Sequence, residues 1–420
     1  MIHFEKFTLT NGLQVIVHED AASHIAVVNV IYNVGSRDEH ASKTGFAHLF
    51  EHLMFGGSCN IPSYDTPLQQ VGGYNNAYTT TDFTNYYCAL PAVNLETSFW
   101  LESDRMLGLA FDEKSFAVQQ KVVIEEFKEH CLNKPYGDAW HHLTDMAYTT
   151  HPYRWPTIGK MVSHIENATM EDVKSFFYQF YRSNNAILVV AGKVKQQEVA
   201  QLCKKWFEPI PAGVPYYRSL PQEPDQLINR RKVVEGDVPF NMLYKAYHMP
   251  GQGMPGYYPA EVLSNILSEG KSALLHAHLV EDQELYTRID SYSTESFDPG
   301  LLVISGSLTN GVQFEEAENA LLEVLQKIAT TTAIELEKAK NQIEAQLVFA
   351  QIHLINRAQD LAIATLLGDT DLVNKKIAYI RQVTLEEVKA IAQMILKEQN
   401  CVTLHYQAKE LKHKPTGLQI

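Results

Sequence analysis

Two stretches of the chain, 215 residues apart, read alike. Residues 168–181, ATMEDVKSFFYQFY, and 383–396, VTLEEVKAIAQMIL, each have Thr in second place, carry acidic residues and continue as an amphipathic helix. A short strand pattern follows each, AILVVAG (186–192) and CVTLHY (401–406). Other elements recur in the same order. The helix ending at Leu267 takes the slot of one near residue 50, and LLVISGSL (301–308) that of the Thr/Tyr-rich stretch Asn76–Leu90. ELEKAKNQIEAQLVFAQ (335–351) takes the slot of the helix carrying Glu125 and Glu126. Matching order at one offset implies two copies of one unit. Five of the seventeen prolines fall within 208–231, which marks the join between them. The expected domains are therefore 1–210 and 232–420, with a linker over 211–231. The expected fold class is α+β: two homologous α/β-roll domains, each a mixed, mainly antiparallel sheet packed with helices.

Within the first copy, residues 4–18 and 24–34 read as two strands joined by a turn. Ala26, Val28, Val30, Tyr32 and Val34 share a face. Gly72-Gly73 breaks the chain, and Asn76–Leu90 should be a strand pair. Helices are expected over 94–108, 112–131 and 170–181, the last with Thr169 as N-cap.

Residues 45–58, GFAHLFEHLMFGGS, hold His48, Glu51 and His52. Positions four apart share one face of a helix, so the two imidazoles can grip one ion. Phe46, Ala47, Leu49, Phe50, Leu53, Met54 and Phe55 surround them with apolar side chains, and Gly56-Gly57 should end the helix. Polar groups in such a helix need a partner, and zinc accepts neutral imidazole and carboxylate alike. The order His-x-x-Glu-His inverts the commoner zinc-protease motif and leaves Glu51 as general base rather than ligand. The second copy has no such motif.

A catalytic zinc needs a third protein ligand. QQKVVIEEFKEH (119–130) offers adjacent carboxylates about 100° apart on a helix, so only one can face the ion squarely. Val122, Val123 and Phe127 should mark the buried side, and Glu126 can face inward with them. From the residues alone, His130 and the pair His141-His142 remain rivals.

Composition removes other functions. The formal charge of −14 argues against nucleic-acid binding, and no run of about 18 apolar residues suggests a membrane span. Five scattered cysteines form neither a disulfide framework nor a paired zinc spacing. The opening MIHFEKFTLTNGLQVIV goes directly into strand pattern, so the expected location is cytoplasmic.

The motifs together resemble the pitrilysin/insulinase family of zinc metallopeptidases, which includes the mitochondrial processing peptidases. The resemblance is carried by NGLQVIV, HLFEHLMFGGS, GGYNNAYTTTDFTNYY (72–87), QQKVVIEEF (119–127), HPYRWPTIG (151–159) and the doubled order. It implies Zn2+ held by His48, His52 and Glu126, with Glu51 as the base. Glu126 is the second glutamate of the VV-x-EE stretch and lies 74 residues after His52. Where the family has a supporting glutamate seven residues before that ligand, this chain has Gln119. The resemblance also implies that substrate adds as a strand along Asn76 and Ala77.

One departure concerns partners. Single-chain and homodimeric members carry an Arg and a Tyr in the second half, in a stretch like LREKRGLAY. The corresponding stretch is LVEDQELYT (279–287), with Val280 and Thr287 at those places. A homo- or heterodimer is expected, with this chain as the zinc subunit and a partner supplying the Arg/Tyr pair. The family form implies half of a clamshell chamber for peptides and unfolded oligopeptides. A scaffold subunit like the core proteins of a respiratory complex and a non-catalytic peptide-binding chamber are the alternatives.

Overall fold

The computed structural model describes residues 1–409; the final residues of the expected second domain, 410–420, lie outside the described residues. In the first half the strands are β1 (Glu5–Thr8), β2 (Gln14–Glu19), β3 (Ile25–Tyr32), β4 (Tyr74–Thr79), β5 (Thr84–Pro91) and β6 (Ala186–Gly192). Its helices are α1 (Phe46–Leu53), α2 (Asp65–Gln70), α3 (Leu95–Leu107), α4 (Glu113–Phe127), α5 (Ala139–Ala147), α6 (Val162–Glu166), α7 (Met170–Phe180) and α8 (Gln196–Trp206). The second half contributes β7 (Arg230–Gly236), β8 (Met242–Met249), β9 (Tyr286–Ser293), β10 (Gly300–Leu308) and β11 (Cys401–Ala408). Its helices are α9 (Tyr257–Ser268), α10 (Phe314–Gln326), α11 (Ala333–Ala350), α12 (Leu354–Leu366), α13 (Leu372–Gln382) and α14 (Leu385–Ile395).

The two sheets have one topology. The first runs β1-β2-β6-β3-β5-β4 and the second β7-β11-β8-β10-β9. Apart from β1 the orders match, and in each the last strand pairs parallel to the first and antiparallel to the next. The repeated helices α7 and α14 begin alike: Thr169 and Thr384 each accept a bond from the backbone three residues on, and an acidic side chain returns it.

Each half also covers the other. Val28, Val30, Tyr32, Leu188 and Val190 face the first half's own helices. The opposite face, with Ile16, Val27, Ile31 and Val189, is covered by Leu354, Ala358, Leu361 and Ala362 of α12. Reciprocally, Ala139, Leu143 and Ala147 of α5 lie against Ala246, Val303 and Leu404 of the second sheet. The Arg37 guanidinium joins the halves, 2.7 Å from both Asp82 and Asp298.

Three expectations need correction. Residues 4–18 are two strands, because Asn11-Gly12 turns the chain there with Gly12 at φ +87. α1 stops at Leu53, before Gly56-Gly57. Bonds from Phe55 N to His52 O and from Gly56 N to Leu53 O tighten its end into i→i+3 turns. Val122 is exposed, not on the buried side of α4; that side is Phe116, Val123 and Phe127. Between Trp206 and Arg230 the chain is coil, with no regular element, and β7 already begins at Arg230.

Candidate metal centre

α1 follows from its sequence. Phe46, Ala47, Leu49, Phe50 and Leu53 enter the core, which leaves one flank for His48, Glu51 and His52. That flank is half open rather than sealed in apolar surroundings: the His48 and His52 side chains are 19% and 20% exposed. Gly45 at the N-cap adopts φ +87. The Glu39 carboxylate accepts from the N–H groups of Gly45 and Ala47 at 2.9 and 2.8 Å, closing the N-terminal end of α1.

α4 packs across α1 and brings Glu126 to the histidines. Glu126 Oε2 lies 3.3 Å from His52 Nε2 and 3.6 Å from His48 Nε2. One donor atom from each of the three residues falls within 4.8 Å of the others, and among the described residues no other cluster of potential ligands does so. None of the rivals joins the set. His141 Nε2 lies 2.9 Å from the Gly159 carbonyl, and His142 pairs with Asp138. His130 is exposed, and Glu125 pairs with Lys128 on the outer side of α4.

The spacing fits an ion better than hydrogen bonds. Direct charged N–H···O contacts run about 2.7–2.9 Å. Two donors each about 2.1 Å from one tetrahedral ion lie about 3.4 Å apart. The observed separations fall on either side of that value. Burial, reinforced by the charges of His52 and His130, pushes the His48 imidazole down to about 4, so it is neutral near pH 7. A neutral imidazole is the form that ligates.

Glu51 stands beside this set. Burial pushes its carboxyl up, against the opposing effects of a Thr79 hydrogen bond and the nearby His52; the charge of Glu126 adds to the rise. The Thr79 hydroxyl donates to Glu51 Oε2 at 2.6 Å. Thr79 ends β4, the edge strand of the first sheet. Nothing in the motif spacing singles it out; only the meeting of β4 with α1 reveals it.

Asn76 and Ala77 lie on that edge strand, with Asn76 exposed, and the Ala77 N–H donates to the Asn76 side-chain oxygen at 2.9 Å. Gln119 is half-buried and two turns before Glu126 along α4. In the second half, Thr287 is exposed on β9, and Val280 is partly buried against the core. The neighbouring Tyr286 is no substitute for a surface tyrosine: it is fully buried, and its hydroxyl donates to the Ala317 carbonyl at 2.9 Å. Arg288 projects outward and pairs with Asp290.

A doubled α+β fold with this donor set defines a class, and comparison with known proteins agrees. The profile described as "Insulinase (Peptidase family M16)" matches residues 14–160, and that described as "Peptidase M16 inactive domain" matches 167–343. Zinc protease PqqE of Helicobacter pylori is 32% identical over 356 residues, spanning 82% of this chain and 79% of that protein. The probable mitochondrial-processing peptidase subunit beta of Schizosaccharomyces pombe is 26% identical over 407 residues, 92% of this chain and 88% of that one. The crystal structure of a protease from Helicobacter pylori superposes with a TM-score of 0.90 at 28% identity, covering 97% of this chain and all of that chain. The chain belongs to the pitrilysin/insulinase family of peptidases, family M16.

Proposed function

We propose that the chain is a zinc-dependent endopeptidase for peptides and unfolded oligopeptides, and the zinc-bearing subunit of a two-subunit enzyme. The carrying observation is the convergence of His48, His52 and Glu126, with Glu126 Oε2 3.3 and 3.6 Å from the two imidazole nitrogens, beside a carboxylate free of the donor set. When bound there, zinc would supply Lewis acidity toward the scissile carbonyl and toward an attacking water. The chain's own residues do the rest. Glu51, with its affinity for protons raised by burial, accepts the proton of the attacking water and delivers it to the leaving amine. Thr79 fixes the carboxylate's rotamer for both transfers. The exposed edge of β4 at Asn76 and Ala77 offers backbone groups to an extended peptide, a mode largely indifferent to sequence.

The two-subunit assignment rests on Val280 and Thr287, and on the locked position of Tyr286. Relatives named as beta subunits support it. A reducing, cytoplasmic setting is part of the proposal, in keeping with five free thiols.

A fluorogenic peptide assay tests the reading, run on the chain alone and with a partner carrying the Arg/Tyr pair, with and without chelator. Cleavage should need the partner, stop with chelator and be absent from Glu51→Gln. Full activity of Glu51→Gln would refute the base; a lone chain as fast as the mixture would refute the two-subunit assignment.

A further inference from the structure

A roomy cavity lies away from the metal centre. It occupies about 1130 Å³ in the second half, between α10, α14 and strands β7 and β11. Ordinary ligand pockets run to about 300–1,000 Å³.

The internal duplication shows what is unusual there. In the first sheet Leu188 of β6 stands between Val15 of β2 and Val30 of β3. Those three join one dry cluster with Val199 and Cys203 of α8 and Phe207 just beyond it. At the equivalent place in the second sheet, Thr403 stands between Arg231 and Lys245. Among the described residues no helix follows β11 to cover this face. Polar groups on a face left open would lie at its surface, as the half-exposed Arg231 does, but Lys245 and Glu318 lie deeper. The Lys245 side chain is 2% exposed and that of Glu318, from α10, 8%. Burying charge is costly, and solubility does not require it.

The charges are not balanced. Glu318 is saturated: it bonds both Arg231 Nη atoms, lies 2.7 Å from Lys245 Nζ and 3.2 Å from His405 Nε2. Lys245 has three protons, and Glu318 and Thr403, at 2.7 and 3.1 Å, take two. Two cations thus face one carboxylate, Lys245 at the cavity floor and the half-exposed Arg231 nearer its opening. Lys389 and Lys397 also line the cavity, as do Glu315 and Glu398, so the lining keeps a positive excess in a chain of net charge −14. The walls are apolar, formed by Leu322, Leu325, Ile328 and Leu396, and Phe314 stacks on His405 with ring centres 4.3 Å apart.

We propose that this cavity binds a carboxylate carried on an apolar body. The carboxylate sits at Arg231 and Lys245, and the body lies along the leucine and isoleucine wall. A fatty acid and the apolar C-terminus of a short peptide share this chemistry. The site is separate from the metal centre and does not rest on the peptidase reading.

Calorimetric titration of the full chain tests it, with chelator throughout so that no peptide is turned over. The probes are octanoate and N-acetyl-Leu-Leu as free acids, each against its amide. At least one acid should bind saturably, and its amide about tenfold or more weaker, as loss of a charge-assisted contact requires. Arg231→Gln should weaken the acid by a similar factor. Leu322→Trp, which fills the mouth without touching the charges, should do the same with an unchanged thermal melt. Binding of octanoate alone or of the peptide acid alone supports the site and names the source. No saturable binding of either acid at millimolar concentration, equal binding of acid and amide, or wild-type affinity in both variants would overturn it.

Discussion

Thr79 lies outside the metal motif, yet its hydroxyl holds the carboxylate that the proposed chemistry turns on. Thr79→Val should lower peptide turnover about 10–100-fold, the usual cost of losing such a supporting hydrogen bond. Zinc content should not change, and Thr79→Ser should restore most of the rate. Equal rates for all three proteins would remove the role. Glu223 makes a second residue-scale prediction. Burial works against its charge, but the N–H groups of His151, Thr150 and Thr149 outweigh it and pull the carboxyl down to about 2. A carboxylate depressed in the folded state stabilises above its unfolded value of about 4.5 and loses that contribution as pH falls toward 2. Glu223→Gln should therefore cost on the order of 1 kcal/mol at pH 7, since the group is largely solvent-screened. The difference from wild type should shrink between pH 4.5 and 2, as read by denaturant unfolding. The motif residues themselves were legible because ligand chemistry demands fixed types at helical spacing. Thr79 and Glu223 were not, because each acts on a partner far along the chain through contacts that only the fold creates.

At the scale of elements, α1 depends on the one residue that lets the chain enter it. Gly45 sits at φ +87, and a Cβ there would lie 2.9 Å from the Ile158 carbonyl and 2.8 Å from Ile165 Cδ1. Gly45→Ala should cost about 1–3 kcal/mol through backbone strain and the clash, and should tilt α1 enough to weaken zinc retention. Thermal unfolding and metal analysis of the variant check both; wild-type values for each would contradict the account. Elements with strong periodicity were readable in advance: α3, α4, α7 and β6 lie where the pattern places them, within a residue or a few. The misses have local causes. The hairpin at Asn11-Gly12 was hidden by apolar residues on both sides of the turn. Val122 looked like core because helical periodicity cannot tell a packed flank from one left exposed.

At the scale of the whole molecule, duplication was legible because order and offset survive where residues diverge. The exchange of α5 and α12 between the halves was not, since an amphipathic helix does not name the sheet it will cover. The two halves share a topology but not a donor set: α9 occupies the place of α1 and carries no histidine. One ion per chain is therefore the expectation, held where α1 meets α4. The most direct measurement is the zinc content of the purified protein and of Glu126→Gln. About one zinc per wild-type chain, falling severalfold or more in the variant, is the predicted result. A wild-type chain that takes up no zinc, or a Glu126→Gln chain that keeps a full equivalent, would contradict it.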